Sequence, residues 1–176
     1  MKTLFFGLLG TLILTSVASF GSAKAAIASE TVVLKYGISQ ESISVRELGD
    51  FARGGEPSSS LKSYLRMVDR KPEALQALLS SGVYVDGVFL YRVLQSFPGE
   101  ILLDSVSEII KTPSARASRE SLRSALVSSA LKDGQITTIE ILENYPTSEV
   151  YLEGDYIVNI YKSIRSVLSF VSLFNL

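Results

Sequence analysis

Between Ser44 and Pro146 the chain is interrupted again and again by helix starts and stops, and between the interruptions its apolar residues return every three or four positions. That spacing lines one face of a helix and suits no strand, so the middle of the chain is constrained to short amphipathic helices. Ser44-Val45-Arg46-Glu47 has the S-x-x-E spacing of a capping box, in which hydroxyl and carboxylate satisfy backbone N–H groups left open by the first turn. It predicts a helix from Val45 to Arg53, stopped by Gly54-Gly55. Pro57-Ser58-Ser59-Ser60 breaks the chain, after which Leu61, Tyr64, Leu65 and Val68 share a face. Pro72, suited to a first turn, opens a third helix that presents Leu75, Leu78 and Leu79 and ends at Ser81-Gly82. Asp86 caps a fourth, with Leu90, Val93, Leu94 and Phe97 inward. Ser96 and Pro98 open a fifth, with Leu102, Val106 and Ile109 inward and Asp104, Ser107 and Glu108 outward; Thr112-Pro113-Ser114 reads as loop. From Ser118 to Leu131 a sixth buries Leu122, Ala125, Leu126 and Ala130 and closes on the Lys132-Asp133-Gly134 turn. Thr137-Thr138-Ile139-Glu140 repeats the capping-box spacing ahead of a short helix that stops before Pro146.

Strand signals lie outside this region. Thr31 to Tyr36 (TVVLKY) is rich in β-branched and aromatic residues, and Gly37 separates it from a second run, Ile38 to Ile43, which reads as a β-hairpin. Ser148 to Leu152 (SEVYL) alternates polar and apolar residues and is expected to close a small antiparallel sheet with that hairpin. The expected class is α+β and mostly helical: several amphipathic helices packed with a small three-stranded antiparallel sheet. The domain is expected over residues 30–154.

Composition sets the chemistry. Hydrophobic residues make up 47% of 176, enough for the core of one domain, and the chain holds no His and no Cys. Disulfides, thiolate catalysis, Ser-His-Asp triads and Cys/His zinc sites are therefore excluded within this chain. No G-x-S-x-G elbow, P-loop or G-x-G-x-x-G occurs. The S-x-x-K spacing at Ser59–Lys62 and Ser129–Lys132 lacks its S-D-N and K-T-G companions and is expected by chance among so many serines. Glu140, Glu143, Glu149, Glu153 and Asp155 gather loosely in sequence, but Glu140 is explained as a cap and Glu143 as a solvated helix face. Arg116, Arg119 and Arg123 form the one basic cluster; the Arg119–Arg123 fork fits a phosphate or a headgroup, whereas Glu120 beside it fits an ordinary solvated helix start. The tyrosines, among them Tyr64, Tyr84, Tyr91 and Tyr151, are read mostly as core. No catalytic residue, cofactor site or metal site is expected.

The two ends are distinctive. Met1-Lys2, the uncharged run Leu4 to Val17, and the small residues leading to Ala23-Lys24-Ala25 and Ala26-Ile27-Ala28 have the three-part layout of a secretory signal peptide. Cleavage after Ala25 or after Ala28 fits the A-x-A rule, and residues 1–25 are taken as the signal, which places the protein in the periplasm or outside the cell. Loss of Lys2 and Lys24 leaves 15 basic side chains against 18 acidic ones, a balance that gives no reason to expect nucleic acid. Residues 155–176 predict an apolar helix whose only charges after Asp155 are Lys162 and Arg165. Ile157, Ile160, Ile164, Leu168 and Val171 form a ridge on it, flanked by Val167 and Phe174. Such a helix must cover something: the domain's own core, a protein partner or a membrane surface.

Three stretches, T-V-V-L-K-Y-G-I-S-Q-E-S-I-S-V-R-E-L-G-D-F-A-R-G-G-E (Thr31 to Glu56), F-P-G-E-I-L-L-D-S-V-S-E-I-I (Phe97 to Ile110) and N-Y-P-T-S-E-V-Y-L-E-G (Asn144 to Gly154), resemble a cyanobacterial exported domain family. That family is labelled α/β-hydrolase of unknown function and commonly stands ahead of an α/β-hydrolase domain. The resemblance runs from about Glu30 to Gly154 and implies a pre-hydrolase module rather than a complete α/β-hydrolase fold. No functional residue is carried over, since these residues hold neither an elbow serine nor a histidine. The expected function is a non-catalytic exported interaction or accessory module with its contact surface on the C-terminal helix. The alternative is a hydrolase-family enzyme of esterase or lipase type with His-free chemistry.

Overall fold

The computed structural model describes residues 28–36 and 38–153, with Ser169 and Leu173. The expected signal (1–25) and the expected contact residues Ile157, Ile160, Ile164, Val167, Leu168, Val171 and Phe174 lie outside the described residues. The hairpin forms as read: β1 (Thr31–Tyr36) and β2 (Ser39–Ser44) pair antiparallel. Then come α1 (Val45–Ala52), α2 (Ser59–Met67), α3 (Pro72–Ser80), β3 (Gly82–Tyr84), α4 (Gly87–Leu94) and α5 (Phe97–Ser107). The series continues with β4 (Ile110–Lys111), α6 (Ser118–Asp133), β5 (Gln135–Thr137), α7 (Thr138–Glu143) and β6 (Glu149–Glu153).

The sheet corrects the expectation of three antiparallel strands. Its order is β2-β1-β6-β4, and β6 runs parallel to β1 and antiparallel to β4; β3 and β5 form a separate antiparallel pair. One side of β1 is taken by β2 through the tight hairpin. The whole helical region separates β2 from β6, a crossover long enough for a parallel return on the other side. Register then builds the core face: Val32 lies between Ile43 and Val150, and Leu152 lies between Leu34 and Ile110. Val32, Ile43, Val150 and Ile110 are all buried in the core.

The starts of α2, α4, α5 and α7 are capped by side chains, and those of α1, α3 and α6 are not. Ser58, Asp86 and Ser96 accept from the backbone N–H of Leu61, Phe89 and Gly99. At α7 the full capping box forms: Glu140 N–H donates to Thr137 Oγ1 at 3.3 Å, and Thr137 N–H donates to the Glu140 carboxylate at 2.9 Å. At α1 the same spacing forms no box, because the Ser44 hydroxyl makes no cap bond and the Glu47 carboxylate accepts from Ser58 Oγ at the start of α2. Gly134 closes α6 with φ 76°, where a Cβ would strain the backbone, and donates to Ala130 O at 2.9 Å.

α6 is the axis of the helical layer. Its Leu122, Ala125, Leu126, Ser129 and Ala130 are all at or below 2% exposure. Each buried leucine of this kind contributes about 1.5–3 kcal/mol. Against it pack Leu90 and Leu94 of α4 and Leu103 and Val106 of α5, while Leu102, expected inward, is only partly buried. Phe97, expected on the inner face of α4, is exposed: α4 ends at Leu94, and the Ser96 cap starts α5 with Phe97 in its first turn.

Candidate functional site

The side chains that carry chemistry are mostly engaged in holding the fold. The Arg119–Arg123 fork is divided between two helices. Arg119 pairs with Asp104 at 3.2 Å and Glu120 at 3.4 Å; Arg123 donates to the Leu94 carbonyl at 3.2 Å and meets Glu100 at 3.5 Å. Arg116 is exposed. Ser129 is fully buried; its hydroxyl donates to Ala125 O at 2.8 Å and accepts from Asn144 at 3.1 Å, while Lys132 is exposed, so the S-x-x-K spacing there brings no amine to the hydroxyl. Lys62 faces Glu56 at 3.8 Å instead of activating Ser59. Glu143 holds Arg53 at 2.9 Å, and Glu153 holds Lys111 at 3.2 Å. Asp155 lies outside the described residues.

One depression of about 490 Å³ opens at the start of α6, lined among others by Asp104, Ser107, Lys111, Ser118, Arg119 and Glu120. Its wall is the loop between β4 and α6. There Ala115 and Ala117 take left-handed φ values of 55° and 52°, at a cost of about 1–2 kcal/mol each for residues with a Cβ. Hydrogen bonds hold the loop in place: Thr112 N–H donates to Ser118 Oγ at 3.2 Å, Thr112 Oγ1 to Arg116 O at 2.7 Å, and Ala115 N–H to Thr112 O at 2.9 Å. The Glu120 carboxylate is held below its ordinary range first by its own backbone N–H at the helix start and then by Arg119. Asp104 and Glu120 at the depression stand in ion pairs with Arg119, and Lys111 with Glu153, and the Ser118 hydroxyl is bonded to Thr112 of the loop. The Ser107 hydroxyl is buried without a hydrogen-bond partner among the described residues. Among the described residues no carboxylate or amine is hydrogen-bonded to the Ser107 or Ser118 hydroxyl.

A second feature is apolar. Val88 (53% exposed) and Tyr91 (45%) on α4, Phe97 (77%) and Ile101 (51%) on α5, and Leu131 (62%) near the end of α6 stand in solvent. Two close helix approaches lie beside them. A Cβ at Gly99 would overlap the Val93 carbonyl, so α5 begins directly against α4; a Cβ at Gly87 would lie 2.7 Å from Leu131 Cδ2, so Leu131 packs against the start of α4. Tyr84 and Tyr91 are exposed and correct the reading of those two as core, whereas Tyr64 packs against it; among the described residues the fully buried tyrosine is Tyr145. A signal for this face was present: α4 reads GVFLYRVL, with one charge, and a helix apolar nearly all round has more apolar surface than one core contact takes up. Val88–Tyr91 and Phe97–Ile101, at i,i+3 and i,i+4, form a second stripe beside the core stripe of each helix.

Residues 28–153 match the family described as alpha/beta hydrolase of unknown function (DUF1400), and the chain belongs to that family. No curated protein and no solved structure matches it.

Proposed function

We propose that this chain is a non-catalytic, exported binding module that engages a protein partner through apolar surface. The observation that carries the reading is the apolar surface that α4 and α5 leave exposed, Val88, Tyr91, Phe97 and Ile101, outside a core built from other residues of the same helices. The engaged state of Ser129, Arg119 and Glu143 supports the non-catalytic part, as does a sequence without His or Cys. Export rests on the layout of residues 1–25 and predicts a mature N-terminus between Ala26 and Ser29 by intact mass. A protein still beginning at Met1 in the membrane fraction refutes export with cleavage.

Purified protein is expected to hydrolyse short-chain esters no faster than buffer. Turnover that survives repurification would overturn the reading in favour of a hydrolase, which the family description names. For the surface, Phe97→Asp combined with Ile101→Asp is expected to keep the fold by circular dichroism and to lose the proteins that the wild-type chain retains from envelope extracts. Retention of the same proteins by the double variant sinks the α4–α5 face as the contact, and its transfer to lipid vesicles would mark a membrane surface instead.

A further inference from the structure

We propose that the chain pairs with a second copy of itself along the open edge of β2, joining two four-stranded sheets into one of eight strands. This surface is separate from the α4–α5 residues and does not rest on the binding reading. The backbone fixes which groups face outward. Two residues separate the paired Tyr36 and Ser39, and the closing pair of so tight a hairpin exchanges both of its hydrogen bonds. Alternation then turns the N–H and C=O groups of Glu41 and Ile43 toward β1, and those of Gln40 and Ser42, with the Ser44 N–H, away from it. The next position keeps the phase, since Val45 N–H donates to Glu30 O at 2.9 Å. Among the described residues no backbone group bonds to the outward set. Gln40, Ser42 and Ser44 are exposed, and β2 pairs through six consecutive residues without a bulge, a proline or a lysine, the devices that blunt an edge.

Count and charge favour a second copy as the occupant. Among the described strands, β4 on the opposite edge of the sheet has two residues, and β3 and β5 have three each, so one long edge is available and pairing closes at two copies. Outward groups meet outward groups when an antiparallel pair is centred on Ser42. Ser42 then lies against its own copy, Gln40 against Ser44, and Glu41 against Ile43. Centring on Glu41 would oppose two carboxylates, and centring on Ile43 would shorten the ladder to residues 42–44, because β2 ends at Ser44. Register about Ser42 also matches charge. Glu41 and Arg46 are exposed, and neither has an ion pair among the described residues. With the second copy's Ser44 opposite Gln40, its α1, which carries Arg46, begins at the end of the ladder that holds Glu41.

Sedimentation of the purified protein is expected to show a mass that rises from one chain to two with concentration. A monomer at every concentration overturns the proposal and leaves the edge to an extended segment of another protein. The absence of native cysteine lets cross-linking read the register. Under copper phenanthroline, Ser42→Cys is expected to give a disulfide-linked dimer, as is a mixture of Gln40→Cys with Ser44→Cys chains. Gln40→Cys alone is expected to give little, because its two copies stand four residues apart, about 13 Å along the strands and beyond disulfide reach. Equal cross-linking of Gln40→Cys alone overturns the pairing. Ser42→Pro removes an N–H that β1 does not use, so it is expected to keep the circular dichroism spectrum and to sediment as a monomer. Should it unfold, Ser42→Lys sets like charges opposite one another and is expected to weaken the dimer several-fold. A dimer unchanged by Ser42→Pro, or by Ser42→Lys where the proline variant unfolds, refutes β2 as the contact. Phe97→Asp with Ile101→Asp is expected to leave the dimer intact, and loss of the dimer in that variant moves the contact to α4 and α5 and overturns the proposal.

Discussion

α6 and α4 lie against each other and use their apolar residues differently. α6 buries Leu122, Ala125, Leu126 and Ala130, turns Glu120 outward, and leaves one large apolar side chain, Leu131 near its end, in solvent. α4 buries Leu90 and Leu94 and still presents Val88 and Tyr91 to solvent. The difference teaches that the core takes up most of the apolar residues of α6 and a smaller share of those of α4. Apolar residues in excess of the core's needs are where a function of contact has room.

The sharpest way to break this contrast is paired truncation. Leu126→Ala is expected to cost about 2–5 kcal/mol by urea unfolding, because a side chain at 0% exposure leaves a cavity. Ile101→Ala, at the exposed face, is expected to stay within about 0.5 kcal/mol. Similar losses at both positions would make the α4–α5 face part of the core.

The caps sharpen the comparison at a smaller scale. Thr137→Ala is expected to cost about 0.5–2 kcal/mol, because it breaks the reciprocal bonds with Glu140. Ser44→Ala is expected to be nearly silent in the same melts, since that hydroxyl caps nothing. A larger loss at Ser44 than at Thr137 would contradict the two observed geometries.

Tyr145 tests the filled side from within. It is fully buried, its hydroxyl finds no partner among the described residues, and burial pushes that hydroxyl above the ordinary tyrosine range. Tyr145→Phe is expected to stabilise by about 1 kcal/mol, since it removes an unsatisfied buried group and leaves the ring. Because the folded pKa is raised, the neutral form's contribution is intact below the unfolded tyrosine pKa of about 10 and falls as pH rises beyond it. The Phe variant should therefore unfold less readily on the alkaline side. A destabilised variant would place a hydrogen bond at that hydroxyl.

The smallest effect belongs to Glu120. Its lowered pKa contributes stability that is present above the unfolded value of about 4.3 and is lost as pH falls through the folded one. Exposure to solvent screens it, so Glu120→Gln is expected to shift the acid limb of a pH-stability profile only slightly. A large shift would show that the depression at the start of α6 is electrostatically dry.

Much of the helical layer was legible because its causes are local. Leu61 with Leu65, Leu90 with Leu94, and Leu122 with Leu126 follow from spacing, and the ends of α6 and α7 follow from Gly134 and the Thr137–Glu140 box. β3, β4 and β5 escaped notice because two or three residues carry no periodicity. Each exists through a distant partner, such as Ile136 across from Val83 or Leu152 across from Ile110. Of the candidate site, the Arg119–Arg123 spacing was visible, but its division between Asp104 and the Leu94 carbonyl was not.

The sequence by itself determined the helix faces, most caps, the hairpin and the exclusion of His- and Cys-based chemistry, since these depend on residue identity and on neighbours within a turn. Only the tertiary structure decided that β6 returns parallel to β1, that Glu47 serves Ser58 instead of Ser44, and which of two apolar stripes on α4 and α5 meets the core. The physical reason is the same in each case. Two partners competed for one strand edge, one carboxylate or one buried surface, and the winner was set by groups far apart in the chain that only folding brings together.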